Sequence, residues 1–116
     1  ALRADLGQFD VVLLANLLDR LRDPRQCLNS LASRVQPGGQ VILTTPCTWL
    51  EDYTPQSHWL GGFEEAGRPV RTLDTLRTVL EPDFTLARRL DLPFLIREHA
   101  RKFQWSVALA TVWIRR

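Results

Sequence analysis

Apolar positions along this chain fall into short unbroken runs and helical stripes, and the two alternate. The first run, Phe9 with Val11-Val12-Leu13-Leu14-Ala15, is too short and too β-branched for a good helix. It reads as a strand buried on both faces, as in the middle of a parallel sheet. Polarity changes abruptly at Asn16, and Leu17 to Arg22 reads as a connecting turn with helical character. Asp23-Pro24-Arg25-Gln26 is a strong helix start, with Asp23 as N-cap, Pro24 at the first helical position and Gln26 completing a capping box. Leu28, Leu31, Ala32 and Val35 then share one helical face. Pro37-Gly38-Gly39 ends that helix and turns the chain.

Val41-Ile42-Leu43 is the next buried strand, ending at Thr44-Thr45-Pro46. Strand, helix and strand joined by short loops form a βαβ unit, a crossover that is almost always right-handed. From Cys47 to Val70 the chain is rich in Pro, Gly and Trp and has no clean period. Loops this long inside a compact domain tend to be lids or binding loops. Thr72 reads as the N-cap of a helix carrying Leu73, Leu76, Val79 and Leu80, which Glu81-Pro82 stops. Phe84 to Leu90 alternates as a strand. Asp91 to Phe103 reads as a connection, with Pro93 near its start and a helical turn around Glu98 to Lys102. Gln104 to Ile114 is the last strand, apolar on both faces. No full crossover helix separates the last two strands, so an antiparallel pairing is expected, one reversed strand in an otherwise parallel sheet. The lead-in, Ala1 to Gln8, is polar with a turn at Gly7. The fold class is α/β, a mostly parallel sheet with an antiparallel last strand.

Composition narrows this without changing it. The chain of 116 residues suffices for one domain, and 45% apolar content is ordinary for a globular protein. The net charge is only +2, and apart from Arg115-Arg116 the arginines are scattered, so nothing argues for nucleic acid. No apolar run approaches a membrane span, and the N-terminus lacks a signal-peptide pattern. Cys27 and Cys47 are too few for a disulfide framework and read as reduced thiols of a cytoplasmic protein. His58 and His99 have no partner Cys or His at ligand spacing, so no metal site is expected.

Candidate chemistry gathers where the first strand ends. In open α/β sheets, ligands bind at the carboxyl ends of the strands. Asn16 and Asp19 sit there, a carboxamide and a carboxylate three residues apart. Short polar residues in such places are more often structural, capping a strand end or turn. Leu14 and Ala15 read as core packing. Trp49, Tyr53, Trp59 and Phe63 form either a hydrophobic cluster that pins the long loop or an aromatic wall over a flat substrate, with Gly61-Gly62 allowing close backbone approach. Arg97, Arg101 and Lys102 read as a solvated face with a Glu98–Lys102 pair. Alternatively, Arg97, after the apolar run Phe94-Leu95-Ile96, clamps a substrate carboxylate.

The order of elements, with Pro37-Gly38-Gly39 before the second strand, resembles the C-terminal half of class I S-adenosylmethionine-dependent methyltransferases, which have a Rossmann-like fold. Four segments resemble one branch more closely: Asn16-Leu17-Leu18-Asp19-Arg20, Thr48-Trp49-Leu50-Glu51, Trp59-Leu60-Gly61-Gly62-Phe63, and the run from Ile96 through Arg101-Lys102-Phe103-Gln104. They look like the methyltransferase domain of ovothiol biosynthesis enzymes, which methylates a ring nitrogen of 5-thiohistidine (4-mercaptohistidine). The resemblance implies S-adenosylmethionine as cofactor, with Leu14 and Ala15 beside it. It also implies Asp19 accepting the substrate's ring N–H and Asn16 orienting the ring or amino-acid portion; on that substrate the aromatic-wall reading would set Trp49, Tyr53 and Trp59 around the ring, and the clamp reading Arg97 on the carboxylate. The class holds its cofactor with a glycine-rich loop after the first strand and an acidic residue after the second, and this chain has neither. Residues 1–116 are therefore expected to be the C-terminal part of a single methyltransferase domain, inactive alone. Its partners would be the upstream half and, in many family members, a fused sulfoxide synthase. Protein histidine as acceptor, a non-catalytic interaction module and another α/β nucleotide-binding enzyme are the rival readings.

Overall fold

The structure is a computed structural model that describes residues 7–116. The reading of Ala1 to Leu6 as a polar lead-in lies outside the described residues. Strand β1 (Phe9–Ala15) leads through a 3-10 turn (Leu18–Arg20) to helix α1 (Pro24–Ser30), and strand β2 (Val35–Thr45) follows. The long loop contains another 3-10 turn (Gln56–His58) and a small hairpin, β3 (Phe63–Glu65) and β4 (Arg68–Val70). Helix α2 (Thr72–Leu80) precedes two long strands, β5 (Phe84–His99) and β6 (Lys102–Arg115).

The main sheet has the order β1-β2-β6-β5. β1 and β2 pair parallel across α1, as a βαβ unit requires. β6 pairs antiparallel with both β2 and β5. Three strands therefore run one way and the last opposes them, which is the sheet expected from the sequence. Its physical origin is the tight turn at Ala100-Arg101, too short for anything but a hairpin.

Several boundaries differ from the sequence reading. Helix α1 stops at Ser30 rather than running to Val35. Two serines explain the early stop. Ser30 Oγ donates to Cys27 O at 2.6 Å and Ser33 Oγ to Ser30 O at 2.8 Å, bonds that compete with the helical ladder and accompany a tighter turn over Leu31–Ser33. Val35 opens β2 instead, fully buried. Pro37-Gly38-Gly39 lies within the span of β2, but the register with β1 jumps from Phe9–Val35 to Val11–Gln40. The turn chemistry thus produces a bulge between strand segments, with Gly38 at φ 82°. Asp23 does cap α1, its Oδ1 accepting from Gln26 N at 3.2 Å, with Pro24 first in the helix.

The largest difference is at Asp91 to Phe103, which is not a connection. It forms the outer part of the β5–β6 hairpin, with Leu92–Ala108, Phe94–Ser106 and Ile96–Gln104 in register. Pro93 disguised it, because a proline argues against a strand interior. β5 is an edge strand, and an edge is where a sheet accepts proline. The Glu98–Lys102 pair exists at 3.0 Å, but it spans the hairpin end and not a helical turn. β2 ends at Thr45, opposite Leu109 and hence beside Asp91. The eight residues from Leu92 to His99 therefore project past the sheet as an arm of about 25 Å.

The core lies on one side of the sheet. Leu14, Val41, Leu43 and Trp113 from the strands meet Leu28 and Leu31, with Leu76 and Leu80 of α2 and Trp49 and Leu60 of the long loop. Trp113 is fully buried, and its Nε1 donates to Thr111 Oγ1 at 2.8 Å. The other face is uncovered at both edges of the sheet. Val11 and Leu13 are 54% and 61% exposed on β1, and Leu90 and Leu92 are exposed on β5 at the opposite edge. β1 is thus an edge strand covered on one face only, not the strand buried on both faces that its composition suggests. β6 departs in the same way, since Trp105 and Val107 are exposed on the arm.

Candidate functional site

The end of β1 is shaped by a left-handed residue. Asn16 has φ 51°, a conformation that asparagine tolerates better than most side chains. Its backbone N–H bonds Thr44 O at 2.8 Å and Thr44 Oγ1 at 3.0 Å, which prolongs the parallel ladder to the rim. Thr44 Oγ1 in turn donates to Asn16 Oδ1 at 2.9 Å. With its oxygen engaged, the amide leaves its NH₂ pointing from an exposed position at the strand end.

Asp19 lies in the 3-10 turn that follows, only 1% exposed. It is not a local cap. Its Oδ2 accepts from the backbone N–H of Thr48 at 3.2 Å, 29 residues away, and so ties the β1 end to the loop after β2. Its Oδ1 is buried with no hydrogen-bond partner among the described residues. Burial pushes the carboxyl pKa up, offset in part by the Thr48 N–H and the Arg20 charge. A buried acceptor without a donor is costly, and Asp19 Oδ1 is the one carboxylate oxygen among the described residues in that position.

The long loop is pinned from several directions. Trp49 is buried, and its Nε1 donates to Thr72 Oγ1 at 3.1 Å. Thr72 is therefore not the N-cap of α2. Arg71 holds that position without a side-chain bond, and the Thr72 hydroxyl serves the indole instead. Trp59 is half-buried and donates to Thr54 O at 2.9 Å. Thr54 Oγ1 donates to Leu21 O, and the Arg20 guanidinium lies 4.4 Å above the Tyr53 ring. Trp49 thus joins the core and Trp59 packs against it, while Tyr53 stays half-exposed over Arg20. Gly61 touches the start of α2 so closely that a Cβ there would stand 2.5 Å from Thr72 N. Gly61→Ala should destabilise the protein by about 1–3 kcal/mol, because the obstacle is backbone and cannot move aside; thermal denaturation of the two proteins measures it.

The structure brings Asn16, Asp19, Leu14 and Ala15 together at the rim, with Leu14 in the core and Ala15 exposed. Arg97 is not among them. It pairs with Phe103 near the arm's end, six residues beyond Asp91 and hence about 20 Å from the rim. His58 Nδ1 lies 2.9 Å from Arg22 O, beside a cavity of about 510 Å³ that Asp23, Gln26 and Cys27 also line. Thr44, Thr48 and Thr72 organise the rim and were not foreseen. Threonines that end a strand or open a helix are commonplace, and only the tertiary fold shows what their hydroxyls and N–H groups hold. Among the described residues, no group of three or more His, Cys, Asp or Glu is placed to hold a metal ion, and no helix is long and apolar enough to cross a membrane.

Comparison with known proteins gives the geometry a family. No curated protein matches the chain. A solved structure from work on the conversion of a disulfide bond into a thioacetal group during echinomycin biosynthesis matches in fold, with a TM-score of 0.60 at 14% identity. The match covers 94% of this chain and 50% of that one, so this chain spans half the length of its structural neighbour. The family model described as a methyltransferase domain matches residues 2–86, from ahead of β1 through the start of β5, and the chain belongs to that methyltransferase family.

Proposed function

We propose that this chain is the C-terminal part of a Rossmann-like, S-adenosylmethionine-dependent N-methyltransferase domain of a cytoplasmic enzyme. The acceptor is a ring nitrogen of 5-thiohistidine, as in ovothiol biosynthesis. The observation that carries the reading is the buried Asp19 carboxylate at the rim, with one oxygen held by Thr48 and the other lacking a donor. The resemblance of four segments to ovothiol methyltransferases supplies the substrate.

The residues present suit one side of the cofactor only. The end of β1, with small Ala15 exposed, leaves backbone accessible at the rim. The glycine-rich loop of the class would come from an upstream half, and the uncovered edge strand β1, with Val11 and Leu13 exposed, suits such a half. S-adenosylmethionine supplies an electrophilic methyl group on a sulfonium, a good leaving group.

Against that methyl, the task of the protein is to present a nitrogen lone pair. A neutral imidazole has one N–H and one lone pair. Asp19 Oδ1 accepts the N–H, which fixes the tautomer and leaves the opposite nitrogen free. As positive charge grows on the ring, the carboxylate stabilises it, and it can then take the proton from the N–H nitrogen. The Asn16 NH₂ donates to the substrate from the other side, its orientation held by Thr44. Trp49 and Trp59 bear on the ring indirectly, by fixing the loop that carries Thr48.

The test is incubation of the full-length protein with S-adenosylmethionine and 5-thiohistidine, read by mass spectrometry. A gain of one methyl group on the ring is expected. Methylation of a protein histidine instead, or no transfer to any imidazole, overturns the assignment.

A further inference from the structure

We infer that a second cavity, at the base of the arm, is the subsite for the zwitterionic head of an α-amino acid. The inference rests on the proposed small-molecule acceptor and adds where that acceptor's head group binds. The cavity holds about 330 Å³ and opens where three elements meet: the segment after β2 (Pro46, Cys47), the start of α2 (Arg71 to Asp74), and the β5–β6 ladder (Arg89, Asp91, Val107, Leu109).

Its charges are unusual in arrangement. Two arginines, Arg71 and Arg89, and two aspartates, Asp74 and Asp91, line one concavity. None of the four is in an ion pair within 4 Å with another described residue. Opposite charges that share a cavity without neutralising each other suit a ligand that carries both signs. Arg89 and Asp91 are two apart on β5, and their partners Thr111 and Leu109 are two apart on β6. Both side chains therefore leave the sheet on the same face, about 7 Å apart along the strand. An arginine offers a planar fork to a carboxylate, and an aspartate accepts from an ammonium. Val107 and Leu109 supply the apolar floor between.

The position connects the cavity with the rim. Pro46 and Cys47 line it, and the next residue, Thr48, is the one that Asp19 holds. The Asp19 charge also acts on the Cys47 thiol. A head group seated at Arg89 and Asp91 would have Pro46 and Cys47 as the cavity wall that leads on to Thr48. Arg97 is too far out on the arm to serve this role, and Arg89 takes it.

Calorimetric titration of the full-length protein with L-histidine, histamine and L-leucine tests the subsite. L-histidine is expected to bind, Arg89→Gln to weaken it about tenfold or more, and Asp91→Asn to do likewise. Histamine has no carboxylate, so Arg89→Gln should leave its binding unchanged. Both side chains are exposed, and an unchanged melting temperature will show that the variants fold. Histidine binding that ignores both substitutions, or no binding of any amino acid, overturns the subsite. Leucine binding as tightly as histidine, with the same dependence on Arg89 and Asp91, supports the subsite while the imidazole reading falls.

Discussion

Asp19→Asn in the full-length enzyme lowers methyl transfer by about 10²- to 10³-fold, the usual cost of removing a group aimed at developing charge, and raises thermal stability at neutral pH. The two effects share one cause. Asn keeps an oxygen for the Thr48 N–H, so the rim holds its shape. It removes the charge that would face the ring as it becomes cationic. Binding of S-adenosylmethionine, which the substitution does not touch, stays within a few-fold of wild type.

The stability half of that prediction follows from linkage. Burial raises the Asp19 pKa in the folded state. Between the unfolded value, about 3.9, and the raised folded value, the native state binds more protons than the unfolded state. Stability therefore falls as pH rises through that window. Asn does not titrate, so its advantage over wild type should be present above the window and vanish below the unfolded value. Melting temperatures of both proteins across acid and neutral pH read this directly. A variant less stable than wild type at neutral pH would mean that Asp19 is fully paired in solution. Catalysis has the opposite slope in wild type, rising as pH climbs through the folded pKa. Unchanged turnover in Asp19→Asn would remove the carboxylate from the mechanism.

What the sequence made legible follows from how local each signal is. The Asp23-Pro24 start of α1 is written within a few residues and appears as expected. So does the reversal of the final strand, because no full crossover helix separates it from the strand before. Burial is not local. Val11 and Leu13 have the composition of a central strand, yet what covers a strand is decided by elements far away in the chain, and here one face has no cover. The arm was hidden because Pro93 is read by its average habit, and edge position was unknown. At the site, Asn16 and Asp19 could be picked out by their place after an apolar run. Their partners could not, since Thr44 and Thr48 lie 28 and 29 residues away. Arg89 carries no motif in the sequence, and its claim to a role exists only because the fold sets it and Asp91 against the start of α2.

Two adjacent leucines on β1 give the sharpest structural test. Leu14 is 3% exposed and packs with Leu43, its partner in the parallel ladder, and with the rest of the core. Leu14→Asp places a charge there with nothing to pair it. A buried unpaired carboxylate, added to the lost apolar contact, exceeds about 4–5 kcal/mol and takes a large share of the stability of a domain this size. Loss of the folded state, seen as loss of near-ultraviolet circular dichroism and of a cooperative melt, is the expected outcome. Leu13 points to the other face and is 61% exposed, so Leu13→Asp in residues 1–116 should cost little and improve solubility. The same Leu13→Asp in a longer protein that contains an upstream half changes meaning. If that half packs against Val11 and Leu13, the aspartate becomes buried and the substitution turns strongly destabilising. A mild effect in both contexts would show that nothing covers this face, and the proposed half-domain partner would fall. A severe effect already in residues 1–116 would contradict the edge position of β1 itself.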